Sequence, residues 1–211
     1  MMDRVLQKRI VPVCVLDDAE SAVPLAEALQ AAGLDILEIT LRTPAALPGL
    51  RKVRAAFPGM LLGAGTILAP EQVRQAHEAG ANFGVSAGLC DAVVTEANRL
   101  GMPFIPGVAT ATEVERAIGL GCTLLKFFPA ELAGGPAMVK AWAGPYGHTG
   151  VKFVPLGGIN MTSARAYLAI PIVAAVGGSW MVERKLIVEK QWAKITQLTK
   201  DALAMAAEGK A

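Results

Sequence analysis

Short β-branched and apolar runs alternate with longer amphipathic runs along the whole chain, the pattern of a parallel sheet wrapped by helices. Eight runs read as strands: Ile10 to Leu16, Ile36 to Leu41, Leu61 to Gly65, Phe83 to Ser86, Phe104 to Gly107, Thr123 to Phe128, Lys152 to Leu156 and Val173 to Gly177. Helical periodicity follows each, as over Ala19 to Ala32, Glu71 to Ala79, Asp91 to Leu100 and Thr112 to Leu120, and glycine closes several of these segments. Eight strand–helix units predict an α/β fold, a compact (β/α)8 TIM barrel. Such barrels take about 250 residues, and about 200 at the small end. An open doubly wound sheet fits less well, because Leu16 runs into Asp17-Asp18-Ala19-Glu20 where a dinucleotide fingerprint would place glycines. No linker or low-complexity tract divides the chain, which predicts one domain over residues 1–211.

Composition narrows the function classes. The 211 residues are 53% hydrophobic and 18% charged, which suits a buried core and excludes disorder as the main state. A net charge of +2, with no basic run interleaved with aromatics, argues against a nucleic-acid partner. The longest uncharged stretch, between Arg165 and Glu183, is interrupted by Pro171 and Gly177-Gly178, which argues against a membrane-spanning helix. The start, Met1-Met2-Asp3-Arg4, lacks the features of a secretory signal, so a cytoplasmic location is expected. Cys14, Cys90 and Cys122 are widely spaced and read as reduced thiols in or near the core.

Barrel enzymes carry their chemistry at the C-terminal ends of strands. Leu124-Leu125-Lys126-Phe127-Phe128 sets an ammonium inside an apolar run, where burial disfavours the charged form and frees the amine to attack a carbonyl. The competing readings are an ion pair with Glu38 and an amine that reaches solvent at the rim. Glu38 alternates with Ile36 and Thr40 and is a candidate for moving protons, or a structural partner of Lys126 or Arg42. Arg42 suits a substrate carboxylate or phosphate, against a plain surface role. Thr66 offers a hydroxyl, against a simple cap before Pro70. Gly157-Gly158 and Gly177-Gly178-Ser179 follow the last two strands, where phosphate-binding barrels hold the anion on backbone amides. Metal chemistry has little support, since His77 falls in a helical pattern and His148 in a glycine-rich loop.

Taken together, Glu38-Ile39-Thr40-Leu41-Arg42-Thr43-Pro44, Gly63-Ala64-Gly65-Thr66, Lys126-Phe127-Phe128-Pro129-Ala130-Glu131, Pro155-x-Gly157-Gly158-Ile159 and Gly177-Gly178-Ser179-Trp180 resemble the class I 2-keto-3-deoxy-6-phosphogluconate (KDPG) and 4-hydroxy-2-oxoglutarate (KHG) aldolases, in order from about Ile10 to Trp180. The resemblance implies a homotrimer that needs no cofactor or metal. It would split the keto-acid phosphate KDPG into pyruvate and glyceraldehyde 3-phosphate, and KHG into pyruvate and glyoxylate. It implies that Lys126 forms the imine and Glu38 moves protons, while Arg42 and Thr66 hold the pyruvate carboxylate. Gly157, Gly158, Gly178 and Ser179 would bind phosphate, with Phe128 and Leu156 in the substrate pocket. Two positions depart from the family pattern: Ala87 stands where members read proline, and Leu156 where they read threonine. A sister group acting on the galactonate epimer carries an apolar residue at the second position, so that substrate stays open. Two other classes remain for comparison: a metal-assisted phosphosugar epimerase, which would need His and Asp ligands at strand ends, and a non-catalytic phosphosugar-binding barrel.

Overall fold

The computed structural model describes residues 2–208. The described residues form nine short strands: β1 (Ile10–Cys14), β2 (Ile36–Thr40), β3 (Leu61–Gly65), β4 (Phe83–Val85), β5 (Phe104–Ile105), β6 (Gly107–Val108), β7 (Leu124–Phe127), β8 (Lys152–Pro155) and β9 (Val176–Gly178). The helices are α1 (Met2–Lys8), α2 (Ala22–Ala31), α3 (Ala46–Ala56), α4 (Pro70–Glu78), α5 (Asp91–Arg99), α6 (Ala111–Gly119), α7 (Gly135–Tyr146), α8 (Met161–Leu168), α9 (Arg184–Val188) and α10 (Trp192–Glu208).

The strands pair in parallel as one sheet of six, in the order β5-β4-β3-β2-β1-β9, and one of three, β6-β7-β8. The eight strands expected of one closed barrel are thus seen as an α/β fold with two parallel sheets. Two local features account for the difference. The run Phe104 to Gly107 is divided at Pro106, which has no N–H for a ladder and serves only through its carbonyl, accepting from the Lys126 amide at 2.9 Å. The run Val173 to Gly177 is strand only from Val176, and Val173 makes a single bridge to Phe153.

Helix ends follow local chemistry. Thr110 caps α6 by accepting from the Glu113 amide at 3.3 Å, while the Glu113 carboxylate accepts from the Thr110 amide at 2.9 Å. The chain leaves that helix through Gly121, whose φ of +83° suits a residue without a Cβ. The predicted helix Ala19 to Ala32 begins instead with a 3-10 turn, Ala19–Ser21, and α1 had no periodic signal that distinguished it.

All positions of β2 and β3 are buried, as a parallel sheet covered on both faces requires. Trp142 of α7 packs between Phe127 (5.1 Å between centroids, edge-on) and Phe153 (5.3 Å), which fixes that helix against β7 and β8. Among the described residues no helix is long and apolar enough to cross a membrane. Cys14 and Cys122 are buried as expected, but Cys90 is exposed, because it precedes α5 at the surface end of a loop.

Candidate active site

A cavity of about 300 Å³ opens where the strands end. Its polar wall comprises Thr40, Arg42, Thr66, Lys126 and Ser179, and Gly157, Gly158 and Gly178 bring backbone to its edge. Val13, Ala87, Phe128, Leu156 and Ile159 form the apolar remainder. The cavity therefore gathers Arg42, Thr66, Lys126, Phe128, Leu156, Gly157, Gly158, Gly178 and Ser179 from five separate stretches of sequence. Glu38 is the exception, lying outside the lining and only 2% exposed.

Lys126 lies in the middle of β7, in register with Gly107 on one side and Val154 on the other. Its side chain is 6% exposed, with Nζ 4.8 Å from the centre of the Phe128 ring. Burial pulls its pKa below the ordinary lysine value; the Glu38 charge opposes that pull and Arg42 adds to it. Glu38 shows the converse: burial raises its pKa, and the positive charges of Lys126 and Arg42 partly offset the rise. Glu38 Oε1 is buried without a hydrogen-bond partner, and none of the described ion pairs joins Glu38 to Lys126 or Arg42. A structural ion pair would have satisfied that oxygen, so the geometry disfavours this reading. The carboxyl has room because residue 65 is glycine, where a Cβ would fall 2.1 Å from Oε1.

Arg42 is steadied by Thr40, a contributor the sequence did not single out. Thr40 Oγ1 donates to the Cys14 carbonyl at 2.9 Å and accepts from Arg42 Nε at 3.2 Å. The available signal was spacing, since Thr40 is two residues beyond Glu38 on the same strand face. Val13 and Ile159 were missed because apolar residues at strand ends look like core. Thr66 adopts φ +60°, a left-handed conformation that is costly for a β-branched residue. That strain falls at the cavity wall, where a fixed hydroxyl would serve a ligand, and a simple helix cap does not account for it. The cap of α4 is Ala69 instead, with the Gln72 side chain accepting from its amide at 3.2 Å.

Gly157 and Gly158 take φ +98° and +81°, so their peptides turn in a way that residues with a Cβ rarely follow. A Cβ at Gly178 would fall 2.0 Å from the Trp180 ring. Leu156 is 6% exposed and packs over Gly177, where a Cβ would lie 2.6 Å from its Cγ. Among the described residues no three His, Cys, Asp or Glu side chains gather as a metal site would need; His77 lies in α4 and His148 in a 3-10 turn.

These strand ends place the chain among parallel α/β proteins with a buried amine in the site. The sequence pattern that defines the KDPG and KHG aldolases matches residues 1–198, and the chain belongs to that family. It is 46% identical over 195 residues to the 2-dehydro-3-deoxy-phosphogluconate aldolase of Treponema pallidum (strain Nichols), covering 92% of each chain. It is 40% identical over 194 residues to the KHG/KDPG aldolase of Escherichia coli (strain K12), covering 92% of this chain and 90% of that one. Among solved structures, the KDPG aldolase of Legionella pneumophila, with pyruvate captured at low pH as a covalent carbinolamine, superposes with a TM-score of 0.90 at 41% identity, covering 94% of this chain and 96% of that one.

Proposed function

We propose that this chain is a class I, Schiff-base aldolase that cleaves KDPG to pyruvate and glyceraldehyde 3-phosphate, and KHG to pyruvate and glyoxylate. One observation carries the reading: Lys126 is buried, held below its ordinary pKa and free of an ion pair, beside a buried carboxyl with an unpartnered oxygen. The carbinolamine captured in the Legionella relative supports it.

The neutral Lys126 amine adds to the ketone carbon, and the carbinolamine takes up a proton and loses water to give a protonated imine. Arg42 and Thr66 hold the neighbouring carboxylate. Glu38, which lies outside the cavity lining, takes the proton of the carbon 4 hydroxyl through a water molecule as the bond between carbons 3 and 4 breaks, and the bonding pair moves into the imine to give an enamine. The aldehyde leaves; protonation of carbon 3 and hydrolysis then release pyruvate and restore the amine. Gly157, Gly158, Gly178 and Ser179 form the cup for the distal phosphate, and Phe128 and Leu156 wall the space between. The two sheets form two arcs of one (β/α)8 barrel, continuous through Pro106 and linked by the Phe153–Val173 bridge, within a single domain of residues 1–211. The working unit is a cytoplasmic homotrimer.

A second reading is favoured by Leu156, whose apolar side chain faces the cavity. Such a wall suits the galactonate epimer of the substrate as well as KDPG. The test is release of pyruvate from each epimer, followed through reduction by lactate dehydrogenase and NADH. Release from KDPG supports the proposal, release from the galactonate epimer alone selects the second reading, and release from neither KDPG, its epimer nor KHG defeats both.

A further inference from the structure

The segment after β7 lies directly against the turn after β8. The Ala130 amide donates to the Leu156 carbonyl at 2.7 Å and the Glu131 amide to the Gly157 carbonyl at 3.1 Å. A Cβ at Gly157 would fall 3.0 Å from Pro129 Cα, and one at Gly158 would fall 2.8 Å from Glu131 Cγ and 3.0 Å from its Cβ. The Glu131 stem therefore occupies the space that a side chain at residue 158 would need. Tyr167 of α8 is wholly buried. Burial, with Glu131 behind it, holds that phenol well above its ordinary pKa. Glu131 is itself exposed and lies outside the cavity, whose lining includes Gly157 and Gly158.

We infer that Glu131 is a positioning residue: its side-chain stem, packed on Gly158, holds the Gly157–Gly158 turn in the left-handed form that presents the phosphate cup. The inference rests on the cup assigned above and extends it to a residue outside the cavity. It also links the Lys126 strand to the anion site through one continuous segment, so the loop that follows the nucleophile fixes where the far end of the substrate sits.

The experiment compares Glu131→Ala and Glu131→Gln with the parent protein by two readouts. One is the Kd of inorganic phosphate by calorimetry, which does not depend on catalysis. The other is KM for KDPG set against KM for KHG, which has no phosphate. Glu131→Ala should weaken phosphate and raise KM for KDPG at least about tenfold, since small misplacements are costly. KM for KHG should stay within about twofold. Glu131→Gln, which keeps the stem, should match the parent. Equal losses on both substrates, unchanged phosphate affinity in Glu131→Ala, or an amide variant as impaired as the alanine one would overturn the inference. A parent protein that binds phosphate but releases no pyruvate defeats the aldolase reading and leaves the phosphate comparison to decide the role of Glu131.

Discussion

Lys126 and Glu38 are ionisable groups held out of water, and each shifts toward its neutral form. The directions suit the proposed roles. A lysine below its ordinary value of 10.5 offers more free amine at neutral pH, and a glutamate above 4.5 is a stronger base. Because Glu38 must be ionised to accept a proton, activity should fall as pH falls through its raised pKa, placing the acid limb of the pH profile above 4.5. Glu38→Gln should keep imine formation, lose about 100-fold or more in turnover and abolish that limb. Near-normal turnover in this variant would demote Glu38 to a structural partner.

The same burial is costly to the fold. Relative to the unfolded chain, Glu38 loses stability as pH rises above 4.5 and Lys126 as pH falls below 10.5, so both penalties act at neutral pH. Substituting both ionisable groups by residues that do not titrate removes these two penalties together. The double variant Glu38→Gln/Lys126→Met should therefore be inactive yet melt at or above the parent temperature at pH 7. A clear drop in its melting temperature would mean the pair serves the fold.

Among elements, the strand ends were more legible than the strand boundaries. Alternating patterns located the runs that became β1 to β4 and β7 to β9, and the polar interruptions Glu38 and Lys126 marked the two strands to which the proposed reaction assigns its chemistry. The pattern could not show that Pro106 splits its strand, because the consequence depends on a neighbour's need for an N–H donor. Nor could it show the left-handed backbone of Thr66, which only the surrounding fold enforces. Glu131 was legible as part of a motif, but its contact with Gly158 is a meeting of two loops far apart in sequence.

Leu156 tests the element that closes the site. It follows β8 and its amide donates to the Phe127 carbonyl at 2.9 Å, so it stands beside the strand that bears Lys126. An apolar wall discriminates substrates by only about 1–3 kcal/mol, whereas a hydrogen-bonding group can reject an analogue far more strongly. Leu156→Thr should raise the ratio of kcat/KM for KDPG over that for its carbon 4 epimer, with pyruvate imine formation unchanged. An unchanged ratio would place Leu156 away from the substrate hydroxyls.

At the scale of the molecule, the α/β architecture was readable from the alternation of strand and helix runs, and the family from strings such as Lys126-Phe127-Phe128-Pro129-Ala130-Glu131. Oligomeric assembly has no comparable signature, since apolar surface residues such as Leu68 and Leu132 do not identify their partners. The electron sink in the proposed reaction is the imine, which the protein makes from its own side chain. Exhaustive chelation should therefore leave activity intact. Loss of activity that added zinc or magnesium restores would move the chain to metal-dependent chemistry.

The central claim is that Lys126 is the nucleophile, and reductive trapping tests it most directly. Incubation with pyruvate and sodium borohydride should inactivate the protein and leave one reduced pyruvate adduct on the peptide containing Lys126, with none in Lys126→Met. An adduct on another lysine, or inactivation without any adduct, would contradict the account.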